Sequence, residues 1–196
     1  MRGETESGDQ YLVQPLPTGA LVAVLDGLGH GAAAAAAAKT AVAVLQDHAQ
    51  ESLIPLLNRC HNALRKTHGV ALSMASFQAA DRTLAWLGVG NVECLVHRRD
   101  LLARPARVYL LPRGGVVGYQ FPAPRVSVLA VAAGDVLLLA TDGVRGGFTE
   151  GLNLDDPPRQ IAEDTLARFA KDTDDALVLV ARFGEMNLAM ETPHGH

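Results

Sequence analysis

Apolar residues along this chain recur with two different periods, and the places where the period changes mark out its elements. Alternation over 9–15 and 19–26, separated by Pro15-Leu16-Pro17-Thr18-Gly19, predicts a pair of strands. An Ala-rich run then predicts a helix over 31–48. In 52–66, Leu53, Leu56, Leu57, Cys60 and Leu64 repeat at i, i+3, i+4, i+7, the stripe of an amphipathic helix, with Pro55 in the first turn where proline is tolerated. From Val70 the period turns strand-like. Segments 70–79, 83–89 and 92–97, broken by Asp81-Arg82 and Gly90-Asn91, predict an antiparallel meander. Weaker strands are expected over 104–111 and 126–131 and a strong one over 136–140, with the Gly- and Pro-rich 112–124 as a loop. A loop over 145–158, a helix over 159–170 and a last strand over 176–182 complete the order. The chain is expected to form one domain, 1–196, with its core over 7–183 and a tail over 184–196.

Strand pair, two helices, a run of antiparallel strands, late helix, final strand: this is an α+β order. It does not alternate βαβα, so a doubly wound parallel sheet is excluded.

The stretch that organises the chain is VAVLDGLGHG, 22–31. A Val-rich strand drives into Asp26 and a glycine-rich turn, and a helix follows directly. Gly27, Gly29 and Gly31 suit a backbone that bends sharply and admits a close neighbour. Two further strands meet aspartates in the same way: LLLATDGV at Asp142-Gly143, and DTDDALVLV at Asp174. One Asp-Gly pair is an ordinary turn. The glycine run could cradle a phosphate at a helix N-terminus, but it has neither the GxGxxG spacing nor a P-loop ending. Three strand-end aspartates in one small domain predict a carboxylate cluster, which is costly unless cations neutralise it.

Four segments, in order, carry a family resemblance: SGDQY at 7–11, VLDGLGHG at 24–31, TDGV at 141–144 and DDALVLV at 174–180. The chain resembles the metal-dependent serine/threonine protein phosphatases of the PPM family, in the bacterial branch that includes SpoIIE, RsbU and RsbX. The resemblance spans about 7–183. It implies an α-β-β-α sandwich, two packed antiparallel sheets flanked by helices. It also implies two Mn²⁺ or Mg²⁺ ions sharing a hydroxide that attacks a phosphoserine or phosphothreonine ester. By resemblance Asp26 bridges both ions, the Gly27 carbonyl binds one, and Asp142 and Asp174 hold the other. Asp174 is preferred to Asp175 as the first residue of its pair, although a one-residue shift would exchange them. Asp9 binds a metal directly or through water, or only holds a turn. Many relatives have glutamate where this chain has Gly8. Larger relatives carry a histidine, a candidate general acid, where this chain has Leu28, and His30 is expected to pack at the helix start. With no sensor region in view, the resemblance is to the RsbX type, which acts on phosphorylated STAS-domain proteins of the stressosome. A phosphatase of an anti-sigma-factor antagonist and an inactive binding module of the same fold are the alternatives.

Composition narrows this further. A net charge of −4 and no basic stripe exclude a nucleic-acid surface, and Arg98-Arg99 reads as a solvated turn. Cys60 and Cys94 form no CxxC pair and read as buried thiols. The start is polar and no apolar run approaches the ~18 residues of a membrane span, so a cytoplasmic monomer is expected. His194 and His196 are too few for a metal tract.

Overall fold

The computed structural model describes residues 6–100, 102–121 and 123–184; the expected tail from 185 and its histidines lie outside them. Strands β1 (Asp9–Leu16) and β2 (Gly19–Gly27) form a hairpin whose register sets Asp9 opposite Asp26. Helices α1 (Gly31–Asp47) and α2 (Leu53–Leu64) follow. Then come β3 (Val70–Gln78), β4 (Thr83–Val89), β5 (Glu93–His97), β6 (Arg107–Leu110), β7 (Ser127–Ala130), β8 (Val136–Ala140), α3 (Pro158–Phe169) and β9 (Val178–Arg182). They build a five-stranded sheet, β1-β2-β3-β4-β7, and a four-stranded sheet, β6-β5-β8-β9, antiparallel throughout.

Three apolar layers follow from strand periodicity. Leu21, Ala23 and Leu25 point from β2 to α1 and α2, joining the predicted stripe of α2, all of it buried. Val22 and Val24, on the opposite face, meet Cys94, Val96, Leu137 and Leu139 between the sheets. Leu95, Val136 and Leu138 pack outward against Ile161 of α3. Because β2 is covered on both faces, its five residues from Leu21 to Leu25 are continuously buried. Each such leucine contributes roughly 1.5–3 kcal/mol on burial. The α-β-β-α sandwich implied by the resemblance is the observed architecture, an α+β fold.

Small side chains let α1 lie close against β2. Ala34, Ala35, Ala37, Ala38 and Ala41 are buried on α1, and the helix lies so near β2 that a Cβ on Gly27 would stand 2.2 Å from the Ala34 carbonyl oxygen. Glycine at 27 answers to this approach rather than to a turn. Both cysteines are buried and unbonded to one another, and burial pushes the Cys60 thiol up to about 12.

Two expectations are corrected. The meander stops at β4: β5 belongs to the other sheet. Gly90, at φ 98°, turns the chain across instead of back, and Ser73 Oγ donates to the Val92 carbonyl at 2.8 Å to fix the crossing. Of the Arg98-Arg99 pair, Arg99 is exposed as expected but Arg98 is not a solvated residue. Arg98 Nη1 donates to Asp135 Oδ2 at 2.8 Å, and Asp135 is only 2% exposed.

Candidate active site

The crossing places the ends of both sheets together. Asp9 and Asp26 face each other at the end of the β1–β2 pair. Ala140 pairs with Val178 at the corresponding end of β8 and β9, so Asp142 and Asp174 lie just past it. A hydrogen-bonded relay helps pin the sheets there. Leu177 N donates to Thr141 Oγ1 at 2.9 Å, and that hydroxyl donates to Asp9 Oδ2 at 2.7 Å. Gly143 closes the last gap, since a Cβ on it would lie 1.7 Å from the Asp175 carbonyl oxygen.

Within this arrangement Asp9 is buried, Asp26 half-buried, and Asp142 and Asp174 are exposed at the rim. Burial, and then the charges of Asp9, Asp142 and Asp174, raise the Asp26 carboxyl to about 7. Burial raises Asp9 to about 6, opposed by the Thr141 hydrogen bond and reinforced by Asp175, Asp142 and Asp174. Every aspartate predicted from the sequence thus reaches one edge of the sandwich. Among the described residues no three carboxylate, imidazole or thiol groups close around a single ion as they stand. The chemistry of the aspartates suits a hard divalent cation: oxygen donors only, with open positions at the rim for water.

Asp174 and Asp175 take different parts. Asp175 Oδ2 accepts from Gly8 N at 2.7 Å, and Asp175 N donates to Asp174 Oδ1 at 3.0 Å. Gly8 O in turn accepts from Gly27 N at 3.1 Å, so Asp175 anchors the segment beside Asp26 while Asp174 remains at the rim. His30 departs from expectation. It occupies the N-cap position of α1, exposed rather than packed, and makes no side-chain capping bond.

Sequence reasoning passed over three residues. Asn91 Nδ2 donates to Asp142 Oδ2 at 2.7 Å and also opposes the rise of Asp26. Thr141 carries the relay, and Lys171 Nζ donates to the Asp142 carbonyl. Thr141 lay inside the TDGV segment without a role of its own, and the Gly90-Asn91 pair reads equally well as a hairpin turn.

A sandwich of this topology with aspartates gathered at one edge is a protein-serine/threonine phosphatase domain of the PPM class, a phosphoric monoester hydrolase. The chain belongs to the SpoIIE family within it: the family described as Stage II sporulation protein E matches residues 17–184. Phosphoserine phosphatase RsbX of Bacillus subtilis (strain 168) is 22% identical over 142 residues, 72% of this chain and 69% of that protein. A chain solved in a study of the bacterial stressosome, a modular system adapted to control secondary messenger signalling, has a TM-score of 0.84 and 26% identity. That match covers 92% of this chain and 94% of the other. RsbX in complex with magnesium has a TM-score of 0.77 at 20% identity, over 91% of this chain and 88% of that one.

Proposed function

We propose that the chain is a Mn²⁺- or Mg²⁺-dependent phosphoserine/phosphothreonine protein phosphatase of the RsbX type, and that it dephosphorylates STAS-domain components of a stressosome. The observation that carries this reading is the convergence of Asp9, Asp26, Asp142 and Asp174, from both sheets, on one edge, where burial and the neighbouring carboxylates raise the pKa of Asp9 and Asp26. Asp26, the Gly27 carbonyl, Asp142 and Asp174 are the proposed ligands, with Asp9 contributing its oxygen not bound by Thr141. Two bound ions would supply Lewis acidity toward the phosphoryl group and a water acidic enough to react at neutral pH. The remaining residues keep this set in place. Thr141 orients Asp9, Asn91 orients Asp142, and Asp175 holds Gly8 against Gly27. Asp174 is favoured over Asp175 because the latter's Oδ2 is already committed to the Gly8 amide. We take the domain to be single, with its core over 7–183, and to work as a cytoplasmic monomer. Among the described residues no helix is long and apolar enough to cross a membrane.

Gly8 leads to a prediction about affinity. A Cβ at this position would stand 3.4 Å from the Gly27 carbonyl oxygen and 3.8 Å from Asp175 Oδ2, so a side chain here would enter the cluster. Glycine withholds an anionic ligand, and fewer anionic ligands bind a hard cation more weakly. One ion should bind more tightly, at Asp26, Asp142 and Asp174, and a second at higher concentration, with activity following the second. Calorimetric titration beside an activity titration tests this; two equally tight sites filled before activity appears would refute it.

His30→Ala should retain substantial turnover, because the imidazole lies exposed at the helix start. Steady-state kinetics decide: a loss as deep as that of Asp26→Asn, with metal still bound, would make His30 a catalytic acid.

A further inference from the structure

We infer that the cavity between the outer ends of β5 and β6 and the loop before α3 is a binding site for an organic oxyanion, a phosphate or carboxylate carried on an apolar body. It occupies about 740 Å³, within the usual ~300–1,000 Å³ of small-molecule sites. It opens at the His97 end of β5, whereas the aspartates lie beyond the Glu93 end, about 13 Å of strand away. The inference stands apart from the phosphatase reading.

The cavity carries two guanidinium groups, Arg99 and Arg107, beside Pro105, Leu152 and Leu154. Arg107 is held from behind. Its Nε donates to His97 Nε2 at 3.2 Å, so that imidazole nitrogen bears no proton and Nδ1 is left to donate to the Arg98 carbonyl at 3.2 Å. His97 is 6% exposed, and burial lowers its pKa, opposed by the hydrogen bond to the Arg98 carbonyl and by Asp135 and reinforced by Arg107. A neutral, buried imidazole is therefore a fixed acceptor that aims the guanidinium. The Arg107 terminal nitrogens make no hydrogen bond among the described residues, which leaves the fork that recognises phosphate and carboxylate in pairs available.

The opposite wall is built as well. Arg182 Nη2 donates to the carbonyls of Leu154 and Asp156, and Asn153 Nδ2 donates to Asp156 Oδ1 at 2.9 Å. Arg99 Nη2 pairs with Asp155 at 2.8 Å, but the two side chains are 52% and 72% exposed. A pair so exposed is worth little and exchanges readily for a ligand oxyanion. The apolar residues give such a ligand's body a surface on which to rest.

The test uses phenylphosphonate and benzoate as probes, on protein stripped of divalent ions and then dialysed free of chelator, so that neither a divalent-ion site nor the chelator's own carboxylates take part. Calorimetry gives affinity, and the ring and guanidinium NMR signals of His97 and Arg107 give location. The expected result is saturable binding of at least one probe that shifts both residues. Arg107→Gln should weaken it by at least about tenfold, and Arg107→Lys, which keeps charge but loses the fork, should restore it only in part. Phosphonate and benzoate affinities distinguish a phosphate-type ligand from a carboxylate-type one. Arg99→Gln, on the more exposed wall, is the second variant should Arg107→Gln not fold, and it too should weaken binding. No saturable binding in the metal-free, chelator-free protein, or binding unchanged in both glutamine variants, overturns the assignment. Since the phosphatase reading is tested by turnover, either can fail alone.

Discussion

Replacing Asp26 by asparagine should leave a folded protein with at least about a hundredfold less phosphatase turnover and a metal-free form more stable than the parent at neutral pH. The first effect follows from its place among the proposed ligands. Outer-shell partners of metal ligands already cost about 10–100-fold when removed, and loss of a residue that would hold the metal directly should cost more. The second follows from the energetic penalty of ionising Asp26 in the fold. Its carboxyl is raised to about 7, chiefly by burial and then by Asp9, Asp142 and Asp174. Below pH ~4 the folded and unfolded forms are both protonated, and the group contributes no difference. Between pH ~4 and 7 the folded form keeps a proton that the unfolded form has lost, so stability declines as pH rises. Above pH ~7 the full penalty is present. Asparagine removes it, by about 2 kcal/mol once solvent access to a half-buried carboxylate is allowed for. Thermal unfolding in EDTA from pH 4 to 8 should show the parent declining and the variant flatter. Parallel curves would contradict this assignment of the acidity.

Asp135→Ala should have the largest effect on stability, about 3–5 kcal/mol of lost folding free energy, while leaving the active-site edge untouched. Asp135 is 2% exposed; its Oδ2 accepts from Arg98 Nη1 at 2.8 Å and Ala132 N at 3.0 Å, and its Oδ1 accepts from Arg99 N at 2.9 Å. Alanine abandons all three donors and leaves a partly buried guanidinium without its counter-charge. Replacing both partners by apolar residues of similar volume removes the stranded charge, so Arg98→Met with Asp135→Leu should be milder than Asp135→Ala alone. Asp135 follows the turn before β8 and the aspartates lie beyond that strand's other end, so turnover per folded molecule should be unchanged. Urea unfolding measures the loss, and a value below about 1 kcal/mol would show that the ion pair is not holding this corner.

The sequence was most legible where local chemistry and tertiary role coincide. Asp26, Asp142 and Asp174 stand out because apolar strands deliver them to their ends, and the structure brings all three to one edge. The stripe of α2 was legible because its five apolar positions are the five that are buried. The path of β5 was not. A two-residue Gly90-Asn91 connection fits a hairpin, and alternation records which face of a strand is buried without recording which sheet the strand joins. For the same reason Asn91 passed as a turn residue, when its amide serves Asp142. Arg98 resembled surface charge because its partner, Asp135, lies 37 residues away. The choice between Asp174 and Asp175 rests on a bond to Gly8, 167 residues distant in the chain, which no local pattern records.

The most direct test of the account is phosphate release from a purified, phosphorylated STAS-domain protein, followed as Mn²⁺ is titrated into chelator-treated enzyme. The account predicts no turnover in excess EDTA, and recovery with Mn²⁺ or Mg²⁺ in the parent but not in Asp26→Asn. Full activity in EDTA, with metal analysis finding none bound, would contradict it.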